Sequence, residues 1–205
     1  MSETDNNYRP LSLSTLRPQT GYSKPYFYSP NPVKFASSAL EVMTDLRFVP
    51  AATVQAELDI ESTTQKMIAR GVRLLLVVDA RDDVIGLVTA RDLVGDRPAE
   101  VMRASQIQFQ QVTVGHVMTT ADSIEVIPLD DVLHARVGDV VETLKHSGRQ
   151  HAMVIEEDPF GGKSAIRGIF SASQISRQLG IAMQQHDLSQ TFAEIEQAMT
   201  SQRSD

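Results

Sequence analysis

Thr89 and Asp92 stand three residues apart, where an apolar strand should give way to a helix. Two kinds of chemistry suit such a pair. As an N-cap, Thr89 accepts a hydrogen bond from a backbone N–H, and Asp92 reaches back to the cap, favoured there by the helix dipole. Alternatively, a short carboxylate at this junction accepts both hydroxyls of a vicinal diol in charge-assisted bonds. The threonine hydroxyl would then meet a phosphate or sugar oxygen, and the N–H groups opening the helix favour phosphate. Ser171 and Gln174 repeat the spacing later in the chain. The neutral carboxamide of Gln174 has a single carbonyl acceptor, so capping is expected to survive there while diol binding weakens. One competent site, at Thr89 and Asp92, is therefore predicted, with a weak or empty one near Ser171. Arg91 lies inside the first motif, Arg149 and His151 precede a buried strand of the second half, and Arg70 and Arg73 hold the related place in the first half. Each could pair with a phosphate or simply be a solvated charge. His151 could also respond to protonation near neutral pH.

The elements that position these residues come from an internal repeat. Met67 to Leu93 and Leu144 to Ile175 share one pattern: a helix end, a glycine, an apolar strand, a polar turn, a glycine-bearing strand and a hydroxyl residue opening a helix. Gly71 and Gly148 lie 77 positions apart, as do Val77 and Val154; Gly86 and Gly168 lie 82 apart, as do Thr89 and Ser171. The growth falls in the turn around Asp158–Lys163, where an insertion costs little. Asp59 is the expected N-cap of a helix that Gly71 stops. Leu74 to Val78 reads as a strand buried on both faces. Val137, Val140, Val141 and Leu144 make one helical stripe.

Each repeat reads as β-α-β-β-α, and about 55 residues would bury too little apolar surface alone. Two copies packed sheet to sheet, in an α/β (α+β) body with a cleft near its pseudo-twofold axis, solve that problem. The expected division is an extended or disordered arm at 1–35, repeat one at 36–95, a linker helix at 96–111, repeat two at 112–178, and a helix and tail at 179–205. Tyr22, Tyr26, Phe27 and Tyr28 suggest that part of the arm lies on the body or on a second subunit. Leu188, Phe192, Ile195 and Met199 predict a helix between Gln184 and Met199.

Composition narrows the function classes. Apolar residues make up 41% and charged residues 22% of the 205, ordinary for a globular protein, and the net charge of −7 argues against nucleic-acid binding. No apolar run reaches the roughly 20 residues needed to span a membrane, and no secretory signal is evident, so a cytoplasmic location is expected. With no cysteine, disulfides and thiol chemistry are excluded. His116, His134, His146, His151 and His186 show no metal spacing, and no nucleophile elbow, Walker loop or dinucleotide fingerprint occurs. The chain offers no constellation for an enzyme and no cofactor motif.

The repeat resembles a pair of CBS domains, the tandem unit called a Bateman module. The residues that carry the likeness are Val42-Met43-Thr44 and Val117-Met118-Thr119, Leu76-Val77-Val78-Asp79, Gly86-Leu87-Val88-Thr89-Ala90-Arg91-Asp92-Leu93, and Gly168-Ile169-Phe170-Ser171-Ala172-Ser173-Gln174-Ile175, in which Gln174 replaces the acid. The likeness runs from about 36 to 176. It implies a regulatory module for an adenosyl ligand (AMP, ADP, ATP or S-adenosylmethionine) that contacts Thr89 and Asp92. Met43, Thr44 and Leu87 would form an adenine slot beside them. It also implies a homodimer, for which Phe170 and the C-terminal stripe should seek cover, and action on an unknown protein partner, no catalytic domain being attached. The alternative is a ligand-free structural or interaction module in which the motifs only cap helices.

Overall fold

The computed structural model describes residues 33–158 and 160–181, together with Thr15 and Thr20. The aromatic cluster of the arm and the helix expected at Gln184–Met199 lie outside the described residues.

The first half builds β1 (Thr44–Asp45), β2 (Thr53–Gln55), α1 (Ile60–Arg70), β3 (Leu74–Val78), β4 (Val84–Thr89) and α2 (Ala90–Val94). A linking helix α3 (Arg97–Ser105) carries proline in its first turn, where the missing N–H is harmless. The second half builds α4 (Val114–Val117), β5 (Thr119–Thr120), β6 (Val126–Pro128), α5 (Leu129–His134), α6 (Val137–Ser147), β7 (His151–Glu156), β8 (Ala165–Ser171) and α7 (Ala172–Gln178). Asp59 caps α1 by accepting from the Ser62 amide at 2.7 Å. Gly71 and Gly148 end α1 and α6 at φ 63° and 64°, left-handed geometry that favours glycine.

The strands form two four-stranded sheets, β1-β8-β7-β6 and β2-β3-β4-β5. β2 runs parallel to β3 and β6 parallel to β7, each through a helical crossover, while the remaining neighbours are antiparallel. Register shifts at Val77/Val78 in one sheet and at Val154/Ile155 in the other keep the 77-residue spacing. The duplication therefore extends to the irregularities.

The edge strands carry a feature that the repeat pattern does not reveal. β1 opens repeat one but pairs with β8 of repeat two, Thr44 opposite Ile169. β5 leads into repeat two but pairs with β4 of repeat one, Thr119 opposite Leu87. The halves thus exchange their entry strands. Arg167 on β8 grips the first of them through Asp45, donating from Nε at 2.8 Å and from Nη2 at 2.6 Å. These bonds hold the Asp45 carboxyl below the ordinary carboxylate range, against the opposing effect of partial burial.

Three apolar clusters follow from the pleat. Leu75, Val77 and Val88 face α1 and its neighbours with Ile60, Met67 and Leu93. Val140, Val141, Leu144, Val154 and Phe170 form the matching cluster of repeat two, into which the entry residues Ala39, Val42 and Met43 insert. Leu74, Leu76, Leu87 and Met153 point the other way and join sheet to sheet. Phe170 is 0% exposed within its cluster, so it does not offer the dimer surface expected for it; its period-2 position turns it toward the helices rather than outward.

The exchanged strands approach closely over two glycines. A Cβ at Gly86 would lie 2.6 Å from the carbonyl oxygen of Thr119, whereas one at Gly168 would meet the Met43 side chain, with Cγ 2.7 Å away. A backbone oxygen held in a ladder cannot step aside, while a thioether chain can. Gly86→Ala is expected to destabilise by about 1–3 kcal/mol and Gly168→Ala by less. Chemical denaturation of the two variants checks the order, and the reverse ranking would contradict it.

Candidate functional site

Thr89 closes β4 and caps α2 in a complete box. Asp92 Oδ2 accepts from the Thr89 amide at 2.8 Å and from the Thr89 hydroxyl at 2.7 Å, and the Asp92 amide donates to Thr89 Oγ1 at 3.4 Å. The helix is only Ala90–Val94, so its stability comes from this cap and from Leu93, 4% exposed in the repeat-one core.

Asp92 Oδ1 has a partner that the motif does not predict. Arg97, the first residue of α3, donates from Nη1 to Oδ1 at 2.9 Å and to the carbonyl of Val117 at 2.7 Å. One guanidinium nitrogen thereby joins the cap of α2 to the segment leading into Met118 and Thr119. The Asp92 side chain is 18% exposed and that of Arg97 45%. An Asp-Arg pair five apart across a helix break has no fixed sequence signature, which is why only the structure reveals it.

The strand exchange also redistributes the residues expected to line an adenine slot. Met43 and Thr44 do not accompany Leu87. Thr44 sits on β1 beside repeat two, where its hydroxyl donates to Gln174 Oε1 at 3.1 Å, and Met43 lies against Gly168. Their counterparts Met118 and Thr119 take the place beside Thr89's strand, with Met118 against Gly86 and Thr119 paired with Leu87. Leu87 itself belongs to the apolar layer between the sheets. Read along the chain, each entry segment belongs to the half it begins; a crossing of strands leaves no trace in local periodicity.

The second motif is built differently from the first. Ser171 makes no side-chain cap to α7; its hydroxyl lies 3.1 Å from that of Ser173. The expected Ser171–Gln174 box is therefore not formed. The longer, uncharged Gln174 reaches past the cap to Thr44, and no carboxylate is present to draw the Ser171 amide back.

His151 lies at the start of β7 opposite Ser171. Burial, reinforced by the charge of Arg73, lowers its pKa to about 4, so the imidazole is neutral at physiological pH. It does not titrate near neutrality as its unperturbed chemistry suggested. His151 and Arg73 come from different repeats, so the fold does bring some of the expected basic residues together. Arg149 does not join them: it pairs with Glu125 at 3.1 Å. Arg91 points into solvent on α2. Among the described residues, no group of three or more His, Cys, Asp or Glu side chains gathers as a metal site, and no helix is long and apolar enough to cross a membrane.

Residues 39–96 match the family model of the CBS domain. The fold is shared with a CBS-domain-containing protein from Agrobacterium tumefaciens, ATU1752, at 18% identity, over 76% of this chain and 98% of that one, with a TM-score of 0.51. It is shared equally with a conserved protein from Pyrococcus horikoshii, at 16% identity, over 75% and 100%, with a TM-score of 0.51. No curated protein matches the sequence significantly. The chain thus carries a CBS-domain match over its first repeat and has the fold of these solved structures, two four-stranded sheets built from a duplicated unit. The matched segment opens at the entry residues and closes after α2, so it holds Thr89 and Asp92 but not the β5 strand that completes their sheet.

Proposed function

We propose that this chain is a regulatory module that binds an adenosyl ligand, of the AMP, ADP, ATP or S-adenosylmethionine class, and passes its occupancy to a partner protein. The observation that carries this reading is the Asp92 carboxylate, held at the strand-to-helix junction that ends β4, the strand against which Met118 and Thr119 of the opposite half are laid. A ribose diol on Asp92 and an adenine near Met118 would touch both halves at once. Occupancy would then bias how the exchanged strand sits, by no more than the ligand's differential affinity for the two arrangements. The reading assigns the protein to the cytoplasm, with no catalytic step and no nucleic acid. It also makes the protein a homodimer. An apolar hollow of about 370 Å³ lies between α1 and α2, lined in part by Met67, Val72 and Leu93. Ile68 and Val94 beside it are 68% and 76% exposed, the kind of surface a second subunit would cover.

One observation favours a ligand-free interaction module instead: both oxygens of Asp92 already have protein partners. Isothermal titration with AMP, ADP, ATP and S-adenosylmethionine separates the two readings. Wild type is expected to bind at least one of them below millimolar concentration, and Asp92→Asn to weaken that binding by about tenfold or more, since a charge-assisted acceptor is lost. No binding to wild type would leave the interaction module as the better account, and equal binding by Asp92→Asn would put the site elsewhere.

A further inference from the structure

The Asp92 carboxylate is not open. Oδ2 is committed to the Thr89 cap, and Oδ1, the oxygen left for an incoming hydroxyl, is covered by Arg97 Nη1 at 2.9 Å. The same nitrogen is anchored on Val117 O at 2.7 Å. With Oδ2 already accepting two bonds and Oδ1 one, a single acceptor position remains, so a ligand diol that is to place both hydroxyls on Asp92 must displace the guanidinium. The Asp92 side chain, at 18% exposed, is the more enclosed partner; that of Arg97, at 45%, is the one with solvent to move into. When it moves, it loses its counter-charge and its carbonyl together.

Adenosyl ligands differ in what they return to that cation. A neutral nucleoside offers nothing. S-adenosylmethionine brings a sulfonium, and its one carboxylate sits beside an ammonium group. A nucleoside phosphate brings an unshared anion, which a guanidinium binds through two parallel donors. The ligand's two ends would then trade places with the resident ion pair: diol to Asp92, phosphate to Arg97.

We infer that Arg97 is the specificity-determining residue of the Thr89–Asp92 site, closing Asp92 to neutral and cationic adenosyl compounds and admitting those that carry a phosphate. The inference rests on the adenosyl reading of the site. It differs from a purely structural role for the pair, in which Arg97 only staples α3 to α2 and treats all ligands alike.

The test is a titration of wild type, Arg97→Leu and Arg97→Lys with adenosine, AMP and S-adenosylmethionine at one fixed ionic strength. Thermal melts accompany each variant. In wild type, AMP is expected to bind about tenfold or more tightly than adenosine or S-adenosylmethionine, the scale of one charge-assisted contact. In Arg97→Leu, adenosine gains and AMP loses, and the ratio falls to about threefold or less. Arg97→Lys keeps the charge and so keeps a preference for AMP; it also serves where the leucine variant fails to fold. An unchanged ratio in Arg97→Leu, with binding retained, overturns the role of Arg97 and leaves the adenosyl reading intact. A wild-type preference for S-adenosylmethionine does the same. Binding of adenosine by Arg97→Leu alone supports the gate. No binding of any ligand to any form removes both the gate and the adenosyl reading.

Discussion

Phe170→Ala is expected to destabilise the protein by about 3–5 kcal/mol, the range for deleting a fully buried aromatic ring. Phe170 is 0% exposed and sits on β8 among Val137, Val141, Leu144 and Ile175. The entry residues Ala39 and Val42 belong to the same cluster, so the cavity would open beneath a segment tied to the sheet by only two strand residues. Against a typical total of about 5–15 kcal/mol, such a loss is severe. At about 2–4 °C per kcal/mol for a chain of this size, it should lower the melting temperature by roughly 10 °C. Phe160 supplies the control: at 96% exposed, its replacement by alanine should stay within about 0.5 kcal/mol. Urea unfolding of both variants gives the comparison, and a loss under about 1 kcal/mol for Phe170→Ala would mean that repeat two is not packed as described.

The second large effect depends on acid. His151 is held neutral by burial and by the charge of Arg73, with its pKa lowered from 6.5 to about 4. Between those values the unfolded chain binds a proton that the folded chain refuses, so stability falls as the pH drops. The contribution is complete above about pH 6.5, declines from there to about 4, and is constant below. The loss is on the order of 2–3 kcal/mol, since one pKa unit corresponds to about 1.4 kcal/mol and the site keeps some solvent contact. The repeat indicates the control substitution, for the position 77 residues earlier is Leu74. His151→Leu should flatten the pH 4–6.5 limb of a denaturation series while leaving the more acid limb. That limb includes Asp45, which the Arg167 hydrogen bonds keep ionised below the ordinary carboxylate range and whose stabilisation is lost only as pH falls through its lowered pKa. An unaltered slope in His151→Leu would move the acid sensitivity to other groups.

Much of this architecture is legible in the residues because it is set locally. Gly71 and Gly148 stop their helices where left-handed backbone is required, Asp59 caps α1, and the apolar run Leu74–Val78 is a strand with every residue buried. The Thr89–Asp92 box is likewise a matter of three residues. What escaped the sequence is non-local. The exchange of β1 and β5 depends on partners 125 and 32 positions away, Thr44 with Ile169 and Thr119 with Leu87, and no period records such pairings. Hence Met43 and Thr44 serve the wrong half for an adenine slot at Leu87, and Met118 and Thr119 stand there instead. Gln174 has the spacing of a cap because serine stands three residues before it; the hydroxyl of Thr44 draws it elsewhere. Arg97 shows in the sequence only as part of a linker because its two acceptors, Asp92 and Val117 O, meet only after α3 and α4 have packed.

The crossed entry strands have a consequence for how the chain is made. As it leaves the ribosome, β5 emerges after β4 and can dock at once. β1 emerges first of all the strands described and must wait until Ile169 has been synthesised. Until then the three apolar entry residues before it, Ala39, Val42 and Met43, have no sheet to enter. A newborn repeat one therefore carries an unspent end, satisfied only when the last strand arrives. Truncation before β8 should strand that end, making the entry segment a recognition point for chaperones on incomplete chains and a seed for pairing between two of them.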